Sequence, residues 1–250
     1  MGDSIPNARY AHSMSALRDV VDRSSRIVFF GGAGVSTESG IPDFRSAEGL
    51  YRRESGTRVP PEEVLGHRFL MRHPDEFYAY YKANLVHADA QPNAAHRGLA
   101  SLERAGKLSA VITQNIDGLH QAAGSRRVLE LHGSVHRNYC MECGKRFGLD
   151  AILAADNVPR CECGGVIRPD VVLYEEMLDE RVMDEAIDEL SRADTVIVGG
   201  TSLAVYPAAG LLQAFRGDNL VLINRDPTPY DRHATLVIPE SIGATLGEFV

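Results

Sequence analysis

Apolar runs alternate with helical patterns along this chain, and together they predict a doubly wound α/β fold. Runs that are apolar throughout indicate strands buried on both faces, as in a parallel sheet. Runs of this kind, in which most residues are apolar, occur at 26–30, 110–113, 128–131, 194–198, 220–223 and 235–238. Helical spacing of apolar residues is found at 11–24, 69–73, 75–86, 93–105, 117–123, 179–192 and 206–215. Strands separated by helices in this way are typical of a parallel sheet covered on both faces.

The first predicted strand leads into a glycine-rich turn, which is typical of a phosphate-binding site. Gly32 and Gly34 follow the strand, and a helix is expected to begin near Val35. Glycine lets a phosphate approach the backbone, whose N–H groups bind anions. Thr37 stands in place of the third glycine of a dinucleotide fingerprint, and residues 39–42 (SGIP) cut the helix short. The turn therefore indicates a dinucleotide site adapted to chemistry other than hydride transfer, with a plain tight turn as the alternative.

Polar groups or glycines stand at the ends of the first five predicted strands. In chain order these ends are the glycine-rich turn, Gln114-Asn115, His132, Thr201-Ser202 and Asn224. Ligands of doubly wound sheets lie outside the carboxyl ends of the strands. We therefore expect all five ends to border one crevice.

The composition narrows the class of partner. Of 250 residues, 44% are hydrophobic and 24% are charged, and the formal net charge is −8. This acidity argues against non-specific nucleic-acid binding, and no apolar run reaches the roughly 20 residues that span a bilayer. The N-terminal residues also contain no signal-peptide pattern. We expect no specific nucleic-acid partner and no membrane association.

The cysteines form two close pairs within one short segment. Cys140 and Cys143 are followed by Cys161 and Cys163, with gaps of two residues and one residue. Four thiolates are a typical ligand set for a tetrahedral Zn²⁺, and they leave no open position for water. The sequence therefore predicts a structural zinc site, with four free thiols as the alternative. The pairing also favours a reducing compartment, so that a cytoplasmic location is expected.

Several motifs, taken in order, resemble those of the sirtuins, which are NAD-dependent protein lysine deacylases. These motifs are GAGVSTESGIPDFR, QNIDGLH, ELHGSV, the paired cysteines, GTSLAVYPAA and LINRD. The resemblance covers the chain from about Ile27 to Asn224. It implies a Rossmann-like domain with a smaller module made of a zinc ribbon and helices. The implied boundaries are 1–45, 90–135 and 171–250 for the Rossmann-like domain, 46–89 for the helices, and 136–170 for the ribbon.

The resemblance also implies which residues bind NAD. Those near the phosphates and the proximal ribose are Gly32, Ala33, Gly34 and Thr37. Asp43, Phe44 and Arg45 form a flap, in which Phe44 shields the ribose C1′ and Arg45 meets phosphate. The expected nicotinamide pocket consists of Gln114, Asn115, Ile116 and Asp117. The adenosine half is expected to contact Gly200, Thr201, Ser202, Asn224 and Arg225.

The implied reaction removes an acetyl or other uncharged acyl group from protein lysine and releases nicotinamide and O-acyl-ADP-ribose. His132 is the expected general base, because an imidazole accepts a proton near neutral pH. It is also expected to contact NAD, and Asn115 is the second expected catalytic residue. The other eight histidines are interpreted as surface or capping groups.

The acylated-lysine protein substrate is expected to enter near residues 171–176, with Val172, Tyr174 and Glu175 in contact. Sirtuins usually have Phe-Phe-Gly-Glu after the valine, whereas this chain has Leu173-Tyr174-Glu175-Glu176. The absence of this glycine calls into question whether the backbone makes close contact with the substrate here.

Three other functions stay open from the sequence. A succinyl- or malonyl-lysine pocket would use Lys82, because Tyr78 is followed by Tyr81 where an arginine is needed. A protein ADP-ribosyltransferase would share the NAD site. A non-catalytic binding module would need neither His132 nor the pair formed by Asn115 and Asp117.

Overall fold

The computed structural model of the protein describes residues 5–44, 49–51 and 59–250, and their side chains from residue 11 onward. The helices are α1 Ile5–Arg23, α2 Pro61–Val64, α3 His67–Arg72, α4 Pro74–Asn84, α5 Ala94–Arg104, α6 Leu119–Ala122, α7 Leu149–Leu153, α8 Glu180–Arg192 and α9 Ile242–Leu246. The strands are β1 Ile27–Gly31, β2 Leu108–Thr113, β3 Val128–Glu130, β4 Gly133–Cys140, β5 Arg146–Phe147, β6 Ile167–Val171, β7 Thr195–Gly199, β8 Asn219–Ile223 and β9 Leu236–Ile238.

The larger sheet is parallel, and its strand order is β3-β2-β1-β7-β8-β9. Its central strand β1 is buried along its whole length. One face packs against Leu17 of α1, Leu99 of α5 and Leu246 of α9. The other face packs against Leu190 of α8 and against a 3-10 helix at Ala208–Ala214. The doubly wound α/β class predicted from the apolar runs is therefore confirmed.

The strand order places the functional edge of this sheet. The chain builds outward from β1 to β2 and β3, then returns to the other side of β1 with β7, β8 and β9. The order thus reverses between β1 and β7, and ligands of such sheets bind at this reversal. The glycine turn after β1 and the Gly200-Thr201 segment after β7 flank it.

A smaller module packs beside this edge. It contains an antiparallel sheet of order β5-β4-β6 and the helices α2, α3 and α4. The ribbon and the helices share one core, in which Phe77 and Tyr81 of α4 pack with Ile167 of β6 and with Cys140 and Cys161. The predicted pairing of a ribbon with helices is therefore present as one packed body.

Two predicted helices differ from the structure. The segment from Val35 forms two short 3-10 helices, Ala33–Val35 and Thr37–Ser39, because Gly40 at φ +83° and then Pro42 end it early. The predicted helix at 206–215 is the 3-10 helix Ala208–Ala214. Among the described helices, none is long and apolar enough to cross a membrane.

Candidate active site

A cavity of about 630 Å³ lies at the reversal of the sheet, between its carboxyl edge and the smaller module. The site residues predicted from the sequence that line it are Gly32, Ala33, Gly34, Thr37, Asp43, Phe44, Gln114, Asn115, Ile116, Asp117, His132, Val172, Tyr174, Glu175, Gly200, Thr201, Ser202, Asn224 and Arg225. Arg45 lies outside the described residues. The structure thus brings the ends of β1, β2, β3, β7 and β8 around one space.

The glycine turn fits closely against the end of β7. The N–H of Gly34 donates to the carbonyl of Gly200 at 2.8 Å. A Cβ on Gly34 would lie 2.8 Å from the Gly200 Cα, and one on Gly32 would lie 2.9 Å from the Thr201 Cβ. No larger residue fits at either position without a shift of the backbone. This N–H is used within the protein, whereas the glycine-rich sequence predicts that the N–H groups of the turn face an anion.

Side-chain amides join the neighbouring strand ends. Gln114 Nε2 donates to Thr201 Oγ1 at 3.2 Å. The Asn224 side chain accepts from the Thr201 N–H and donates to the Thr201 carbonyl, each at 3.1 Å. These bonds fix the ends of β2, β7 and β8 relative to one another. The sequence predicts these residues from their position after the strands, but not their mutual contacts.

Ser36 connects the glycine turn to the Asn115 and Asp117 pair, although it is not among the site residues predicted from the sequence. Its hydroxyl donates to Asp117 Oδ2 at 2.6 Å and accepts from Asn115 Nδ2 at 3.1 Å. Asp117 Oδ1 accepts from the Leu119 N–H at 2.9 Å. Each carboxylate oxygen accepts two hydrogen bonds, so Asp117 retains acceptor capacity toward the cavity. The sequence feature that could have identified Ser36 is its position inside the glycine-rich motif.

His132 is held in one tautomer by the backbone. Its Nδ1 lies 2.9 Å from the carbonyl oxygen of Gln114, which only accepts hydrogen bonds. Nδ1 therefore carries the proton, and the lone pair is on Nε2. Burial lowers the pKa of His132 below its usual value, although the bond to Gln114 acts in the opposite direction. Nε2 is consequently a neutral proton acceptor at physiological pH.

The segment after β6, residues 172–176, lines the cavity and is held in place by an ion pair. Arg168 binds both carboxylate oxygens of Glu176, at 2.7 and 3.0 Å, and the Leu173 N–H donates to Glu176 at 2.9 Å. Burial alone would raise the pKa of Glu176, but these hydrogen bonds lower it to about 2. The backbone also runs beside the histidine, because the Val172 N–H donates to the His132 carbonyl at 3.0 Å. Glu176 is therefore an anchor for this segment.

Glu175 has the backbone conformation that a glycine would adopt there. Its φ is +77°, a value that side chains disfavour. Its carboxylate accepts from the N–H of Arg68 at 3.1 Å and from the guanidinium at 2.6 and 2.8 Å. The replacement of glycine therefore keeps the left-handed turn, and Arg68 holds the added side chain.

Lys82 points away from the cavity, so it is not placed to bind an acyl carboxylate there. Its ammonium donates to the carbonyls of Ala155 and Asn157 in the ribbon. Tyr81 lines the cavity, whereas the Tyr78 hydroxyl is buried and donates to the Ile167 carbonyl at 2.6 Å. Arg225, after β8, is the one lysine or arginine among the described lining residues.

Two histidines lie in the interior, which corrects the interpretation of all remaining histidines as surface or capping groups. His96 does cap α5, where its Nδ1 lies 3.3 Å from the Asn93 N–H, but it is fully buried. His120 is buried too, and the two ring centroids are 4.7 Å apart. Neither nitrogen of His120 has a hydrogen-bond partner among the described residues. Burial lowers the pKa of both rings, and each is kept neutral in the folded protein.

This pair predicts a loss of stability in mild acid. As pH falls below about 6.5, both rings bind protons in the unfolded chain but not in the folded one. The free energy of unfolding should then fall by up to about 1.4 kcal/mol per pH unit for each ring. Urea unfolding at pH 7 and pH 5.5 measures the difference. We expect His120→Gln to reduce this difference, while the same change at exposed His12 leaves it as in the wild type. An unchanged difference in His120→Gln would contradict the prediction.

The cysteines form one cluster in the smaller module. All four Sγ atoms lie within 4.8 Å of one another. Cys140 and Cys163 are 3.4 Å apart, and Cys143 and Cys161 are 3.7 Å apart. A disulfide needs about 2.05 Å between sulfurs, whereas a tetrahedron of Zn–S bonds of about 2.3 Å has edges of about 3.8 Å. The cluster fits a four-thiolate metal site.

Comparison with known proteins shows to which family this chain belongs. A family model described as the Sir2 family matches residues 32–207. A Cutibacterium acnes protein named NAD-dependent protein deacetylase is 59% identical, with 90% of this chain and 93% of the relative aligned. A Clostridium acetobutylicum protein of the same name is 54% identical, with 93% and 96% aligned. A solved structure described as Sir2 with a p53 peptide and NAD⁺ is 41% identical, has a TM-score of 0.81, and aligns over 94% of this chain and 96% of its own. This chain belongs to the Sir2 family, as its motifs indicate.

Proposed function

We propose that this protein is an NAD-dependent protein lysine deacetylase that transfers the acetyl group to ADP-ribose. The observation that carries the proposal is the single tautomer of His132, whose bare Nε2 belongs to the cavity that the glycine turn and Asp117 also line. The relatives named as deacetylases and the Sir2 structure with a peptide and NAD⁺ support it. The partners are accordingly proteins that carry acetylated lysine.

The cavity residues fit NAD. Gly32 and Gly34 line the cavity, and the lack of side chains lets their turn close against the end of β7, as the glycine-rich turn of a diphosphate site does. Asp117 can accept hydrogen bonds from a carboxamide, and Asn115 is fixed beside it through Ser36. Gly200, Thr201, Ser202, Asn224 and Arg225 border the cavity after β7 and β8, which suits an adenosine half. NAD, when bound, supplies a ribose carbon that becomes electrophilic as nicotinamide leaves.

Two residues of the protein, His132 and Phe44, then act in the reaction. His132 Nε2 removes a proton from a ribose hydroxyl, and general-base catalysis of this kind contributes about 10²- to 10⁴-fold to a rate. The proton on Nδ1 stays on the imidazole, where it is hydrogen-bonded to the Gln114 carbonyl. The base therefore returns to the same tautomer after each cycle. Phe44, on the cavity wall, excludes water from the reacting carbon.

We propose that the acyl group is uncharged. With Lys82 bound to the ribbon carbonyls, the described lining offers no cation near Tyr81 for an acyl carboxylate. Apolar side chains that line the cavity include Ile41, Phe44, Leu85 and Ile116, and the last three pack against the same core as Tyr81. These residues favour acetyl and short alkyl chains over succinyl or malonyl.

We also propose that the four cysteines bind a structural Zn²⁺. The sulfur separations and the soft donor set support this assignment. The four ligands leave no position for water, so the ion contributes to folding rather than to the reaction. Four thiols without disulfides also support our proposal of a reducing, cytoplasmic location.

One experiment tests the reaction and the acyl preference together. The protein is incubated with NAD and matched acetyl-, butyryl-, succinyl- and unmodified-lysine peptides, and the products are identified by mass spectrometry. We expect nicotinamide, free lysine peptide and O-acetyl-ADP-ribose, formed at least about tenfold faster from acetyl than from succinyl peptide. The tenfold ratio corresponds to about 1.4 kcal/mol of transition-state discrimination. Labelling of the unmodified peptide with ADP-ribose would instead indicate a transferase, and faster cleavage of succinyl-lysine would overturn the uncharged-acyl proposal.

A further inference from the structure

Strand β4 contains a three-residue bulge, residues 135–137. Ser134 pairs with Asp170 and Asn138 pairs with Pro169, so that no residue of β6 lies opposite the bulge. Extra residues of this kind leave the ladder of hydrogen bonds, re-aim side chains and are frequent next to active sites. The groups of the bulge are therefore free to contact elements other than β6.

Two residues of the bulge bind the loop that follows β2. The Val135 N–H donates to the Ile116 carbonyl at 3.0 Å. His136 Nε2 lies 3.0 Å from the carbonyl oxygen of Asp117, and because a carbonyl only accepts hydrogen bonds, Nε2 carries the proton. Ile116 and Asp117 line the cavity, whereas His136 does not. The bulge thus holds the expected nicotinamide pocket from outside the cavity.

The imidazole of His136 also packs on the turn that follows Asp117. Gly118 has a φ of +72°, and a Cβ there would lie 2.6 Å from Cδ2 and 2.8 Å from Nε2 of His136. The backbone of His136 is fixed as well, because its N–H donates to the Ser134 hydroxyl at 3.3 Å. Glycine has wide conformational freedom, so the ring restricts a turn that is intrinsically flexible.

Arg137 anchors the bulge to the strands beside it. Its guanidinium binds Glu130 of β3 and, at 3.1 Å, Asp170 of β6. Because β3 belongs to the larger sheet and β6 to the smaller one, this arginine joins the two sheets. His136 is consequently carried by a backbone that is tied to both.

These contacts complete the fixation of Asp117. Ser36 and the Leu119 N–H bind its carboxylate, and His136 binds its carbonyl. This last bond fixes the peptide unit between Asp117 and Gly118, and with it the direction of the carboxylate that is expected to accept from the carboxamide of nicotinamide.

We propose that His136 is a positioning residue for the nicotinamide pocket and that it sets how tightly the protein binds nicotinamide. The proposal rests on the proposed deacetylase function, in which nicotinamide is a product that can return to its pocket and inhibit turnover. A carboxylate held in one direction loses less conformational freedom when it binds the carboxamide, so binding is tighter with the imidazole in place.

Inhibition of acetyl-lysine peptide deacetylation by added nicotinamide measures this role. His136→Leu removes the donor and keeps an apolar side chain over the turn. We expect it to raise the inhibition constant of nicotinamide by about two- to tenfold, as for one neutral hydrogen bond. His136→Gln places an amide N–H at a similar reach and should restore a constant close to that of the wild type. ADP-ribose, which lacks nicotinamide, should bind to both variants with the wild-type dissociation constant in titration calorimetry.

A matched control and a folding check complete the test. His136 is exposed, and thermal unfolding confirms that each variant is folded. His12→Leu makes the same substitution at an exposed histidine that does not line the cavity, and it should keep the wild-type constants for nicotinamide and ADP-ribose. A wild-type inhibition constant in His136→Leu, no recovery in His136→Gln, or equal weakening of nicotinamide and ADP-ribose would overturn the positioning proposal while leaving the deacetylase proposal intact. Absence of acetyl-lysine cleavage by the wild type would instead refute the deacetylase proposal itself.

Discussion

Replacing His132 with alanine is expected to lower kcat for deacetylation of an acetyl-lysine peptide by about 10²- to 10⁴-fold. The lost group is the unprotonated Nε2. The hydrogen bond from Nδ1 to the Gln114 carbonyl keeps the proton on Nδ1 and so leaves Nε2 able to accept one. The residues expected to hold NAD stay in place, because the hydrogen bonds among Gln114, Thr201 and Asn224 do not involve the imidazole. Binding of NAD should therefore remain close to that of the wild type. Steady-state kinetics and calorimetry measure the two quantities.

The pH profile of the wild type provides a second readout of the same group. The active form is the neutral imidazole, and burial lowers the pKa of His132. Activity should therefore be full at pH 7 and should fall in acid around a pKa below about 6.5. His132→Ala should lack this limb. His73→Ala, which removes an exposed imidazole that does not line the cavity, is the control and should keep both the rate and the limb. Wild-type turnover in His132→Ala would show that another group is the base.

The larger sheet could be predicted because its physical signal is local. Strands such as β1 and β7 are buried on both faces, so every residue in them is apolar or small. The convergence of polar strand ends follows from parallel pairing, since all carboxyl ends then lie at one edge. His132 and Asn224 could therefore be assigned to one crevice without knowledge of any contact between their elements.

The smaller sheet could not be predicted in the same way. Strand β4 has buried and exposed residues in an irregular sequence, and its pairing with β6 shifts register between Ser134 and Asn138. Its order depends on partners more than 25 residues away, such as Ile167 beside Cys140. A period-two pattern is lost across such a shift. The motifs indicated a ribbon here but did not give its strands.

Side-chain direction was the other limit of the sequence. Lys82 follows the Tyr78–Tyr81 pattern closely enough to suggest an acyl-binding cation, but its rotation on α4 directs it to the ribbon. His120 was interpreted as a surface or capping group, yet α6 turns it against Phe29 and His96. Ser36 gains its role only from the approach of Asn115 and Asp117. Each of these outcomes depends on tertiary packing rather than on local pattern.

Removal of zinc is expected to unfold the smaller module and abolish deacetylation while the larger sheet stays folded. Cys140 and Cys161 pack in the same core as Phe77 and Tyr81, and Tyr81 lines the cavity. Structural zinc contributes about 10–16 kcal/mol in small zinc-dependent folds, which is of the same size as the roughly 5–15 kcal/mol that stabilises a whole domain. Without the ion, the ribbon core cannot hold Tyr81 or the segment after β6 in place. The larger sheet has its own two cores, which contain none of the cysteines.

Hydrogen exchange after chelation, with elemental analysis of the metal, measures this outcome. The purified protein should contain one zinc per chain, and its loss should remove protection from β4 and β6 but not from β1 and β7. Cys143→Ser should lose zinc and activity, because three thiolates and a hydroxyl hold the ion less tightly than four thiolates. Glu142→Ser, the same substitution beside it in the loop, keeps the four ligands and should retain both. If chelated protein kept full exchange protection in β4 and full turnover, the cysteines would be four free thiols in a module that folds by its apolar core alone.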